Sequence, residues 1–173
     1  MKFIDIPAYT ICGAYRIDVQ LRSVPETIRD FKENSALDMN PDFQRGHVWT
    51  VDQQQAFVVH ILRGGTSGRD IYFNCPSYGR NAASTEPMVI VDGKQRITAC
   101  LDFLDNKFPI LGGYYFRDFE DRPRVICRLT FHVNDLENRA EILQWYLEMN
   151  TGGTVHSEEE ISKVKRLLEK ELK

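Results

Sequence analysis

The sequence predicts a mixed α/β fold, and three observations carry that prediction. Two stretches, AYRIDVQL and RVICRLTFHV, alternate apolar and polar residues as half-buried strands do. Two short runs, DIYFN and MVIV, read as strands, the second of them apolar enough to be covered on both faces. Between and after these runs, apolar residues recur at helical spacing. Strands interleaved with helices exclude both a helical bundle and an all-β sandwich.

Taken in order, Ile17, Val19 and Leu21 point to one side of the first strand, and Arg16, Asp18 and Gln20 to the other. SVPE then reads as a capping-box start with proline near the first turn, predicting a short helix through Ile28 and Phe31. MNPDFQRGHVW is a loop or a short extended piece. Thr50 and Gln53 form a second capping box, opening a helix with Val51, Val58, Ile61 and Leu62 on one face; Gly64 or Gly65 ends it. DIYFN is the next strand, CPSYGRNAASTEP a polar loop, and Met88 to Val91 a further strand. Ile97, Cys100, Leu101 and Leu104 follow the i, i+3, i+4, i+7 rule of a helix packed on that sheet. Val125, Cys127, Leu129, Phe131 and Val133 share one side of the last strand. Leu136, Ala140, Leu143 and Leu147 mark a helix that NTGGT breaks, and Ser157 starts a final helix with Ile161, Val164 and Leu168 inward. With no internal repeat or low-complexity linker, residues 1–173 are expected to form one domain whose C-terminal part, from 135 to 172, is helical.

Composition narrows the function classes. With 42% hydrophobic and 27% charged residues the chain reads as soluble and globular, and 173 residues suffice for a core without staples. A net charge of −3 argues against coating nucleic acid by bulk electrostatics. MKFIDIPAYTICG lacks a sustained apolar stretch and no segment approaches membrane-spanning length, so neither secretion nor a membrane partner is expected. Cys12, Cys75, Cys100 and Cys127 form no CxxC pair and no metal-ligand spacing with histidine, as free thiols in a reducing cytoplasm would.

The chemistry concentrates at one junction, VIVDGKQRITACLDFL. The strand is expected to end near Val91 and the helix to begin near Ile97, with Asp92 and Gly93 as the turn and Lys94, Gln95 and Arg96 in or near the first helical turn. Unpaired backbone N–H groups gather there and attract anions. Two cations at the same place point to a phosphate ligand, cradled by N–H donors and gripped by the arginine fork. An ordinary structural reading stands beside this one: Asp92 caps the helix, Gly93 turns the chain, and Lys94 and Arg96 face water. It is not a Walker loop, since the G-x-x-x-x-G-K-[ST] spacing is absent. Gln44, Arg45, His47 and Trp49 lie in the loop before a helix, and Asn150, Gly152 and Gly153 suit a helix C-cap and turn.

PDFQRGHVW, a helix ending HILRGG, IVDGKQRITACLDFL and MNTGGTVHSEEEI occur in this order. Together they resemble the GmrSD-type restriction endonuclease N-terminal domain, a family marked by a DGQQR motif and grouped with the ParB/sulfiredoxin-like fold. The correspondence runs from about Pro41 to Leu168. The resemblance implies a ParB-like α/β fold, a small mixed sheet flanked by helices, in which the motif turn and the upstream arginine line a nucleotide or phosphate pocket. It assigns Asp92, Gly93, Gln95 and Arg96 to the motif, Arg45 and Trp49 to the upstream site, and Asn150 and Gly153 to the downstream one. Lys94 stands where glutamine is commoner. Larger members carry a C-terminal HNH nuclease domain, for which this length leaves no room, so cleavage by such a domain is not expected. Sulfiredoxin chemistry is disfavoured too, since it needs a cysteine in the phosphate-binding turn, whereas Cys100 lies on the apolar face of the next helix.

Three functions follow as expectations. The first is a nucleotide-binding phosphohydrolase for a nucleoside triphosphate. Arg96 and Arg45 hold phosphate oxygens, Asp92 coordinates Mg²⁺ or orients water, and Gln95 positions the nucleophile. His47 is a candidate base, while His60 reads as a helix-face residue and His132 as a strand residue. The second is a non-catalytic module that senses a nucleotide or DNA and acts on a separately encoded effector protein. Arg117, Arg122, Arg124 and Arg128 are candidates for a phosphate-contacting strip, or for a solvated strand face. The third is a DNA nuclease, although no compact cluster of carboxylates for two metals is visible. The resemblance associates all three with restriction and phage defence.

Overall fold

The computed structural model describes residues 15–44, 46, 48–76, 78, 86–151 and 158–172. Arg45, His47, Gly153, Cys12 and Ser157, and with them most of the CPSYGRNAASTEP and NTGGT stretches, lie outside the described residues. Among the described residues, four strands and five α-helices follow in order: β1 (Tyr15–Gln20), α1 (Val24–Ser35), α2 (Val51–Leu62), β2 (Asp70–Asn74), β3 (Val89–Asp92), α3 (Lys94–Leu104), β4 (Arg128–Asn134), α4 (Arg139–Thr151) and α5 (Glu158–Glu171). The fold is mixed α/β, a small sheet flanked by helices, as the sequence predicts. Among the described residues no helix is long and apolar enough to cross a membrane.

The sheet order is β1-β4-β2-β3. β1 and β4 pair antiparallel from Tyr15↔Val133 to Gln20↔Arg128, β4 and β2 pair parallel, and β2 and β3 pair antiparallel. Strand alternation then sorts the side chains. One face collects Val19, Ile71, Phe73, Ile90, Leu129 and Phe131 against Val24, Ile28 and Phe31 of α1 and Ile97 and Cys100 of α3. Phe31 meets Phe73 edge-on at 5.5 Å, and Phe73 lies 5.2 Å from Phe131. Each such fully buried side chain contributes about 1.5–3 kcal/mol. The opposite face is split. Over β2 and β3 it is apolar, where Tyr72, Val89 and Val91 pack against Leu143, Trp145 and Leu147 of α4 and Val164 of α5. Over β1 and β4 it is polar: Thr130 donates to Asp18 at 2.8 Å, and Arg128 pairs with Asp18 at 3.3 Å. A smaller cluster of Val58, Ala99, Phe103, Phe108 and Ile110 joins α2 to α3.

Several local expectations need correction. The SVPE capping box does not form: Ser23 has helical backbone and makes no side-chain cap bond, although Pro25 does sit in the first turn. The Thr50/Gln53 box forms in both directions. Val51 is 51% exposed, since it stands at the first position of α2 before the buried stripe of Val58 and Ile61 begins. Val125 is also exposed, at 65%, because β4 begins only at Arg128 and the preceding residues form a turn.

The link from β4 to α4 hangs on Asn74, which is fully buried at the end of β2. Its amide donates to the Leu136 carbonyl at 3.0 Å and its side-chain oxygen accepts from the Leu136 N–H at 2.9 Å, so one side chain satisfies both backbone polar groups of that residue. Asn74→Ala leaves both backbone groups without that partner and is expected to cost about 2–4 kcal/mol, read from urea unfolding as a lower midpoint at unchanged slope.

Candidate functional site

β3 ends at Asp92 and α3 begins at Lys94, so Gly93 alone makes the turn. Its φ is +97°, and a Cβ there would lie 2.5 Å from Ile71 Cδ1 and 3.3 Å from Ile71 Cα. Glycine is therefore needed both for the backbone angle and for the close approach. The contact seats the start of α3 directly on β2. Gly93 offers no side chain to cap the helix, and the first turn contains no acid. Asp92 is not the cap either; it is the last strand residue, and its carboxylate pairs with Arg96.

Two glutamines fasten the PDFQRGHVW loop to this corner. Gln44 donates from its side chain to the Val91 carbonyl at the end of β3. Gln95 works in the reverse direction: its side-chain oxygen accepts from the Val48 and Trp49 amides at 3.0 and 3.3 Å, and its nitrogen donates to the Gly46 carbonyl at 2.8 Å. Expected to position a nucleophile, Gln95 holds this loop, its amide bonding at both ends to backbone.

Arg96 fastens the other side. Its Nη1 donates to the carbonyls of Gly68 and Asp70 at 3.2 and 2.8 Å, and its Nη2 donates to the Asp92 carboxylate. The guanidinium is held in place by three partners while its side chain remains 18% exposed. Lys94 does not simply face water; it is 8% exposed and lines the cleft described next. Burial pushes its ammonium below the ordinary value, and the nearby charge of Asp38 offsets part of that effect.

These residues form the floor of a cleft of about 520 Å³. Trp49 and Phe57, ring centroids 5.5 Å apart, make one wall, and Tyr146, Met149 and Asn150 of α4 another. Of the residues singled out in the sequence, the structure thus brings together Trp49, Asp92, Gly93, Lys94, Gln95, Arg96 and Asn150. Asn150 donates from its amide to the Tyr146 carbonyl at 2.6 Å. Arg45, His47 and Gly153 lie outside the described residues.

The sequence reading missed one side of the cleft. His60, taken as a helix-face residue, lines it and bonds with Ser67, its Nε2 lying 3.1 Å from the hydroxyl and 3.2 Å from the carbonyl. Ser67 and Gly68 line it too. The available signal was the run Gly64-Gly65-Thr66-Ser67-Gly68, small residues that let backbone approach. Next in the chain, Arg69 is buried, and its Nε and Nη2 have no hydrogen-bond partner among the described residues. His132 sits on β4 as read, stacked on Tyr72 at 4.6 Å and 2.7 Å from Asp70.

Other expectations divide. Among the described residues no group of three or more His, Cys, Asp or Glu is placed to hold a metal. Asp92 is the single carboxylate among the described residues lining the cleft. Cys100 is fully buried, with its thiol pushed up to about 12 by desolvation, which suits packing and not thiolate chemistry. The four arginines of the proposed strip disperse. Arg128 pairs with Asp18, and Arg117 lies near Asp118 and over the Tyr115 ring, whereas Arg122 and Arg124 border a different hollow.

The Gly93 contact generates a prediction. Gly93→Ala should lose about 2–4 kcal/mol in urea unfolding, the sum of an unfavourable backbone angle and forced repacking. Adding Ile71→Val, which removes Cδ1, should restore part of that loss, a non-additivity that a merely flexible turn would not produce.

Comparison with known proteins bears on the whole arrangement. No curated protein and no solved structure matches the chain. The family model for the GmrSD restriction endonuclease N-terminal domain matches residues 26–126, more than half of the 173. The match begins earlier than the Pro41 expected from motifs and ends before Asn150, so it includes the loop and the Asp92–Arg96 corner but not the MNTGGT stretch. On that match the chain belongs to the family of GmrSD restriction endonuclease N-terminal domains, which associates it with restriction and defence systems.

Proposed function

We propose that the cleft binds a nucleoside triphosphate by its phosphates and hydrolyses it. The observation that carries this reading is the cleft floor, where Lys94, Arg96 and the uncapped start of α3 converge. A buried ammonium and a pre-positioned guanidinium at a helix start without a side-chain cap favour an anion with several oxygens. The Trp49 and Phe57 rings, set edge to face, offer an apolar wall for a base. Mg²⁺ fits as a companion of the nucleotide, with Asp92 as the protein carboxylate and phosphate oxygens and water as its other ligands. In hydrolysis Lys94 and Arg96 would offset the charge that develops on the transferred phosphoryl group.

A second reading is a sensing module that binds nucleotide and acts on a partner without turnover. One observation favours it: the Gln95 amide and the Asp92 carboxylate, both expected to be catalytic, are already engaged within the protein.

A nucleotide panel with Mg²⁺ separates the two readings. A bound nucleotide at 100 times its Kd should stabilise the fold by about 2.7 kcal/mol. Lys94→Met should hold the free protein within about 1 kcal/mol of the parent, since it removes a charge that burial disfavours, and should abolish the nucleotide-dependent shift. A shift with phosphate release supports hydrolysis, and a shift without release supports sensing. No shift with any nucleoside triphosphate overturns both.

The Lys94 shift also sets a pH dependence. Its folded value is lowered, so the unfolded chain keeps this proton to higher pH. The penalty for burying the charge is present below the folded value and lifts as pH rises toward 10.5. A phosphate against Lys94 favours the charged form, so binding in the alkaline window just below 10.5 should take up protons. Calorimetry in two buffers of different ionisation enthalpy reads this uptake, which Lys94→Met should remove.

A further inference from the structure

Away from the cleft, α2 and α3 share a second hollow of about 280 Å³. Val59 and Leu62 of α2, Phe103 of α3, and Phe116 and Phe119 from the following segment make apolar walls. Arg63, Arg122 and Arg124 stand around it, against a single lining carboxylate, Asp121. None of the three arginines makes an ion pair among the described residues; Arg124 donates to the Leu62 carbonyl at 3.1 Å.

Leu111 borders the hollow and is 55% exposed. It lies in a turn closed by reciprocal backbone bonds between Ile110 and Tyr114, at 2.8 and 2.9 Å. Its φ is +50°, a left-handed conformation that glycine and asparagine adopt readily and a leucine does not. Solvation and backbone preference both oppose a leucine there, which is the pattern of a residue retained for contact. Tyr114, at 57% exposed, and Phe119, at 37%, add to the exposed apolar residues of this segment.

We propose that this hollow docks a segment of a partner protein that inserts one large apolar side chain and flanks it with carboxylates for Arg63, Arg122 and Arg124. The volume sits at the lower end of small-molecule sites, which run to roughly 300–1,000 Å³. A single anchor side chain in a desolvated pocket is how a few residues come to dominate an interface. The uncompensated guanidiniums select acidic flanks by charge complementarity. α2 links the two sites: Phe57 and His60 line the cleft, and Val59, Leu62 and Arg63 line the hollow.

Selection of random dodecapeptides displayed on phage against the full chain tests the proposal. Enriched peptides should carry an aromatic or leucine anchor with aspartate or glutamate beside it. By fluorescence anisotropy, their affinity should fall at least tenfold with Leu111→Asn and with Arg122→Glu/Arg124→Glu. Leu111→Asn should not lower the melting temperature, because asparagine suits the backbone angle. The proposal is overturned if nothing is enriched, if the enriched peptides lack carboxylates, or if they bind both variants undiminished. Sedimentation velocity showing self-association that Leu111→Asn abolishes would also overturn it, assigning the surface to a second copy of this chain.

Discussion

The contact between Gly93 and Ile71 sets the distance on which the site depends. Because no Cβ intervenes, the first turn of α3 sits against β2 itself rather than a side-chain layer above it. Gln95 is then within reach of the Gly46–Trp49 backbone, and Arg96 within reach of the Gly68 and Asp70 carbonyls. One glycine thus aligns two consecutive polar residues, Gln95 and Arg96, with three different parts of the chain. The loop before α2, the loop after it and the end of β3 all converge on the same helical turn. A cleft walled by such elements is pre-organised, since its polar groups need little rearrangement to meet a ligand.

Electrostatics at that corner run against helix stability. Acids normally favour a helix N-terminus, yet α3 opens with Lys94 and Arg96 and has no acid in its first turn. Asp92 compensates Arg96 directly, and Asp38 partly offsets the burial of Lys94. Neither relieves the helix amides, whose partial positive charge remains directed at the cleft. An anion at the cleft floor would relieve these unfavourable arrangements, and the apolar rings of Trp49 and Phe57 stand beside it.

The two hollows lie on the same pair of helices. Gly68 and Arg96 join the α2–β2 loop to the start of α3, while Val58 and Ala99 pack within the shared cluster between them. A ligand in the cleft and a segment in the second hollow would therefore touch opposite sides of one packed unit. Any difference in affinity between two arrangements of that unit would be felt reciprocally at both places.

Much of this was legible without coordinates. Period-two and period-3.6 patterns located β1, β4 and the helices among the described residues, because burial of one face imposes those periods regardless of what lies opposite, and short strand-like runs located β2 and β3. The Asp92–Arg96 corner was also legible, since strand, glycine and helix are adjacent in the chain. Tertiary structure decided what these residues contact. Gln95 holds a loop 46 to 49 positions away, and His60 reaches Ser67 only because the chain folds back over Gly65. The arginines of 117–128, close together in sequence, separate because strand and loop point them in different directions. Local pattern reports which side of an element is buried. It carries no information about which distant backbone group will complete a side chain's hydrogen bonds, and that pairing decides whether a polar residue serves a ligand or the fold.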